Sequence, residues 1–129
     1  MALRPCLERG CRALVRSGRC REHQRARNKA KRLTAAAQVY ADKRWARARL
    51  AAIARAGGRC QAIEQIPDKG PVRCPVTSGL HGHHDYEGGV EQMLVDGADP
   101  FDPARIVALC ARHHGQVTVW EAQKRRLRR

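Results

Sequence analysis

The sequence has few large side chains with which to fill a core. Aromatic residues make up 4% of its 129 residues, namely Tyr40, Tyr86, Phe101, Trp45 and Trp120. The apolar fraction of 43% sounds ordinary but is rich in alanine. A chain of one-domain size with so little bulk needs another source of stability, and bound metal is a common one. No apolar run approaches membrane-spanning length. Residues 1–10 also lack the apolar stretch of a secretory signal. The expectation is therefore an intracellular chain without a membrane partner. In that setting the six cysteines serve as metal ligands rather than disulfide partners.

Acidic residues are scarce as well. Twelve Asp and Glu face 26 Lys and Arg, for a formal net charge of +14. Such an excess repels itself in a compact fold unless a polyanion is close, and nucleic acid is the first candidate. From Arg21 to Arg55 there are eleven basic residues against Glu22 and Asp42. This distribution favours a surface that faces phosphates.

Composition divides the chain into a cysteine-rich segment, 1–24, a basic helical region, 25–57, a domain over 58–121, and a basic tail, 122–129. The second region has no proline or glycine before Gly57, and alanine and arginine both favour helix. Trp45, Ala52, Ile53 and Ala56 fall on one packed helical face, and Gly57–Gly58 is a natural stop. Pro67, Gly70 and Pro71 mark a turn between two short strands. Residues 88–103 read as loop, and residues 104–110 as a strand or a helix start. A short helix suits residues 113–121, with the tail as a helical extension or a basic arm. The fold class implied is a small α+β chain.

Two groups of residues have zinc-ligand chemistry. Cys6, Cys11, Cys20 and His23 have the spacing C-x4-C-x8-C-x2-H. Three thiolates and an imidazole suit tetrahedral zinc, and a closed set of four leaves no position for catalysis. Cys60, Cys74, Cys110 and His113 offer a second set of three sulfurs and one nitrogen. Two structural Zn²⁺ ions are expected. His81, His83, His84 and His114 remain, so five of the six histidines lie between His81 and His114. That density suggests a further metal with open positions and a base beside it. Such groups suit phosphodiester hydrolysis, in which a divalent cation stabilises charge on the leaving oxygen and a neutral histidine accepts a proton from water.

The stretch from Arg59 to Trp120 resembles the HNH endonuclease family in its short phage and bacterial form. The residues that carry the likeness are Cys60, Cys74, His83–His84, Gly88–Gly89 and the run Arg105 to His114, which reads RIVALCARHH. A cysteine cluster followed by a basic helix with Tyr40 and Trp45 is similar to phage-type members. The resemblance implies a ββα-metal finger with structural zinc, preceded by the basic helix and the small N-terminal zinc-binding segment. His83 and His114 would bind the catalytic cation, which could be Mg²⁺, Mn²⁺, Ni²⁺ or Zn²⁺. His84 ranks first as general base, then His83, then His81. Asp85, and more weakly Glu87, are alternative ligands.

Two departures from the family pattern stand out. Arg105 occupies the place of the central asparagine and cannot accept a hydrogen bond, which leaves it the role of a phosphate clamp. Val117 replaces a lysine, while Thr118 keeps its position. The reading that follows is a metal-dependent endonuclease acting on duplex DNA in phage DNA processing or packaging, among the proteins of those processes, in the cytoplasm of a bacterial host cell. The alternative is a catalytically degenerate HNH-fold zinc protein that binds DNA or a protein partner. A ribosomal or RNA-binding zinc protein is a third reading, weakened by the adjacent histidines and the missing aromatic platform.

Overall fold

The computed structural model describes residues 2–128. The chain forms a small α+β fold divided into two compact units, the first ending at Ala41 and the second beginning at Asp42.

In the first unit, β1 (Arg4–Pro5) and β2 (Leu14–Val15) pair antiparallel, with Arg4 opposite Val15. Next come α1 (Arg21–Arg32) and α2 (Ala35–Ala41). The helical region expected over 25–57 is three helices, the first starting at Arg21. Side-chain caps cause the breaks. Thr34 Oγ1 donates to the Lys31 carbonyl at 2.9 Å and accepts from the Ala37 amide at 3.2 Å, so one residue closes α1 and opens α2. Asp42 then accepts from the Arg44 amide at 2.9 Å and opens α3 (Lys43–Arg55).

In the second unit, α3 buries Ala48 and Ala52, and its C-cap residue Ala56 is buried as well. Trp45 and Phe101 pack against the cluster that Ala48 and Ala52 form with Ile106. Gly57 and Gly58 end the helix at positive φ, 72° and 69°, a conformation that costs glycine little. The hairpin β3 (Ile63–Ile66) and β4 (Gly70–Arg73) follows, in register Ile63 to Arg73. Its turn uses Asp68 at φ 68°.

Strand β5 (His81–His84) pairs antiparallel with β6 (Ile106–Leu109), His81 opposite Leu109 and His84 opposite Ile106. Residues 88–103, expected as loop, contain α4 (Gly89–Asp96), which buries Val90 and Met93. A 3-10 turn (Pro103–Arg105) leads into β6, and Cys110 caps α5 (Ala111–Leu127). The helix placed over 113–121 is thus 17 residues long and takes in most of the basic tail.

Candidate metal centres and histidine cluster

All six cysteines are free thiols, and with two histidines they form two separate sets. In each set the four ligand atoms lie within 4.8 Å of one another. The first joins Cys6, Cys11, Cys20 and His23; the second joins Cys60, Cys74, Cys110 and His113.

The distances suit zinc. Standard Zn–S and Zn–N lengths on a tetrahedron place sulfur and nitrogen about 3.6 Å apart. His23 Nδ1 is 3.7 Å from Cys6 Sγ and 3.1 Å from Cys20 Sγ. His113 Nδ1 is 3.6 Å from Cys60 Sγ and 3.1 Å from Cys110 Sγ. Backbone amides also point at the sulfurs. Those of Glu8 and Cys20 reach Cys6 Sγ at 3.4 and 3.2 Å, and that of Cys110 reaches Cys60 Sγ at 3.2 Å.

At Cys6 and Cys110 the surroundings favour thiolate. Burial raises Cys6, but the amides of Cys20 and Glu8, together with hydrogen bonds from His23 and Cys11, outweigh it and bring its pKa to about 6. The His113 amide leads in lowering Cys110 to about 7. Cys11 and Cys74 move the other way. An amide lowers each, yet burial and the neighbouring thiols prevail, because adjacent negative charges oppose one another. A cation inside each set would remove that repulsion, so both sets fit zinc.

The two sets differ in their surroundings. All four ligands of the second are buried, whereas in the first only Cys6 is. The second is also braced. The Arg73 guanidinium donates to the carbonyls of Cys60, Arg59 and Ala56, tying the end of α3 to the metal loop. Arg59 returns two bonds of 2.8 Å to the Cys74 and Arg73 carbonyls. Gln61 bonds the far edge of β6 through both its amide and its side chain, each at 2.8 Å to Ala108. His113 donates from Nε2 to Glu64 Oε1 at 2.7 Å, which fixes the tautomer and leaves Nδ1 for the metal. Arg112 holds the same carboxylate from outside, and these contacts keep the Glu64 carboxyl below its usual pKa.

The remaining histidines divide according to strand alternation. His81 and His83 face α5. The His81 ring stacks on His114 at 4.9 Å, and His83 meets His114 edge-on at 5.5 Å. His83 Nε2 lies 3.0 Å from Glu121 Oε1, one further turn along α5 from Thr118. Gly82 and His84 face α3. His84 is 3% exposed, lies 4.9 Å from the Trp45 ring, and donates from Nε2 to the Pro100 carbonyl at 2.8 Å. Burial pushes its pKa below the ordinary histidine value.

The structure therefore separates residues that the motif had placed together. His84, ranked first as base, is on the opposite face of β5 from His83 and His114. Arg105 is exposed at the far end of the hairpin, where Asp102 and the Tyr86 ring engage it. Asp85 is tied there through its amide to the Arg105 carbonyl. Glu87 pairs with Lys124 and Arg128. Val117 packs on the second metal set, and Thr118 bonds back to the His114 carbonyl.

Glu121 was not anticipated. Its position seven residues after His114, two helical turns on, was the available signal. Burial, then His83 and His81, lower the His114 pKa and favour its neutral, ligating form. The group His81, His83, His114 and Glu121 is nevertheless not a preformed metal cage. Among the described residues, only the two Cys3His sets bring three or more ligand atoms within 4.8 Å.

No helix among the described residues is long and apolar enough to cross a membrane. No family model, curated protein or solved structure matches the chain.

Proposed function

We propose that the chain is a zinc-stabilised protein with an HNH-type finger that binds duplex DNA without cleaving it. The finger is β5, β6 and α5, with the second zinc set at its base. The observation that carries this reading is the pair of closed Cys3His sets, the only converged ligand groups among the described residues. Closed sites stabilise a fold and leave no coordination position for substrate. Their host carries a net charge of +14, which suits phosphate contacts. The placement of His84 and Arg105 also supports it, since neither side chain is free to serve the His83–His114 face. Proteins of phage DNA packaging or processing are the partners that the motif resemblance suggests.

A second reading, metal-dependent endonuclease, is favoured by one observation: three imidazoles and the Glu121 carboxylate gather on one face of the hairpin. In that reading His83 and His114 remain the residues that would hold Mg²⁺, Mn²⁺, Ni²⁺ or Zn²⁺. His81, exposed beside them, becomes the proton acceptor in place of His84.

Supercoiled plasmid separates the two. Zinc-loaded protein is mixed with plasmid and each divalent metal in turn, alongside His114→Ala and His83→Ala variants of unchanged zinc content and helicity. Retarded but uncut plasmid is the expected result. Nicking restored by one metal and lost in the folded variants would establish the endonuclease instead.

A further inference from the structure

Helix α1 buries none of its residues. A 12-residue helix without a packed face is marginal in water. This one is held at its start, where Cys20 is the N-cap residue and His23 lies in the first turn, both in the first metal set. It therefore stands as an anchored rod whose outward surface has no role in a core.

The sequence on that rod is sorted by face. At 100° per residue, Arg21, Gln24, Arg25, Asn28, Lys29 and Arg32 fall within an arc of about 140°. The opposite side carries His23, Ala26 and Ala30, while Arg27 and Lys31 border the arc on one edge and Glu22, the helix's one acidic residue, borders it on the other. Arg, Lys, Gln and Asn are the side chains that read base edges in the DNA major groove. Gln24 Nε2 donates to Asn28 Oδ1 at 3.0 Å. That bond leaves the Gln24 carbonyl oxygen as an acceptor and the Asn28 amide hydrogens as donors, the pair that an adenine edge requires.

We propose that α1 is a base-reading helix that enters the major groove of duplex DNA, so that the N-terminal unit supplies sequence selectivity. The inference rests on the DNA-binding reading above and adds to it a defined surface and groove. An α-helix fits that groove, whereas the deep, narrow major groove of duplex RNA excludes it. A membrane surface is a poor match, because the only apolar residues of α1 are two alanines. Single strands call for aromatic stacking, and α1 has no aromatic residue other than His23, which is in the metal set.

The test uses the full-length, zinc-loaded chain and a pool of duplex DNA with a randomised centre, sequenced after rounds of retention. A Gln24→Ala/Asn28→Ala double variant runs in parallel, with zinc content and circular dichroism matched to wild type. The wild type is expected to enrich a short motif in which a wrong base at a contacted position weakens binding by about 5- to 150-fold. The double variant retains unselected duplex, since it loses no charge, but enriches no such motif. An Arg27→Gln/Lys31→Gln variant weakens all sequences alike and reduces the slope of log affinity against log salt by about 2. A wild-type pool that stays random, a double variant that enriches the same motif, or equal competition by duplex RNA overturns the proposal while DNA binding stands. If no duplex is retained at all, the DNA-binding reading fails and the proposal with it.

Discussion

Glu64 is the residue through which the second metal set can be perturbed without touching a ligand. Its Oε1 accepts from His113 Nε2 at 2.7 Å. The bond holds the imidazole in the tautomer that presents Nδ1 to the thiolates and adds electron density to the ring. Glu64→Gln keeps the size and removes the charge. Losing such an outer carboxylate costs about 10- to 100-fold in metal affinity. Glu64 belongs at the lower end, because its side chain is 38% exposed and shares its charge with Arg112; water replaces part of what is removed. A fall of about tenfold is expected, confined to one of the two zinc ions. Among the described residues no carboxylate bonds His23, so the first set should keep its affinity and serve as an internal reference. The assay is competition with a chromophoric chelator, which resolves two classes of zinc per chain. Glu8→Gln is the control, since Glu8 pairs with Arg19 rather than with a metal-binding histidine. Equal weakening of both zinc ions, or no weakening of either, would refute the argument that the Glu64–His113 bond tunes one site.

Two further outcomes follow from the faces of β5. A Cβ at Gly82 would lie 2.9 Å from Arg49 Cγ and 3.2 Å from both Ile106 Cγ2 and the Trp45 ring. Arg49 can move, but Ile106 and Trp45 are packed, so Gly82→Ala should destabilise the second unit by about 1–3 kcal/mol in thermal or urea unfolding; an unchanged midpoint would contradict the packing. His84 titrates below its unfolded value of about 6.5. Its contribution is therefore complete above that pH and is lost as pH falls through the lowered folded value. Comparing unfolding at about pH 7.5 and about pH 5.5, His84→Gln, which keeps a donor for the Pro100 carbonyl, should lose less stability on acidification than wild type. Acid release of zinc is common to both chains and cancels in the difference.

Some of this arrangement was legible in the sequence because it depends on local chemistry. The two Cys3His sets could be read from ligand type, even though Cys60 and Cys74 meet Cys110 only after a long excursion. The β3–β4 hairpin followed from Pro67, Gly70 and Pro71, and the end of α3 from Gly57–Gly58. The breaks at Thr34 and Asp42 were equally local, but strong helix formers on both sides obscured two ordinary capping residues. Helix α4 was missed because Gly88 and Gly97 flank a segment of only eight residues that itself begins with Gly89. Its start and stop look like loop punctuation, while its buried Val90 and Met93 depend on tertiary packing.

The histidines show where motif spacing and strand geometry part. Matching His83 and His84 to adjacent family positions assigns both to one chemical group. A strand sends adjacent residues to opposite faces, so they can share a site only if the strand is broken or bulged between them. The pairing of β5 with β6 is regular from His81 to His84, and the register of Gly82 explains which face is which. Glycine is needed on the α3 side, where Trp45, Arg49 and Ile106 close over the strand, and His84 follows it into that core. His81 and His83 are left on the α5 side with His114. The same alternation places Glu121 within reach, because only Cys110 separates the end of β6 from the start of α5, which runs back along the histidine face. His81, His83, His114 and Glu121 therefore share one face of the hairpin, while His84 is buried in the core on the other.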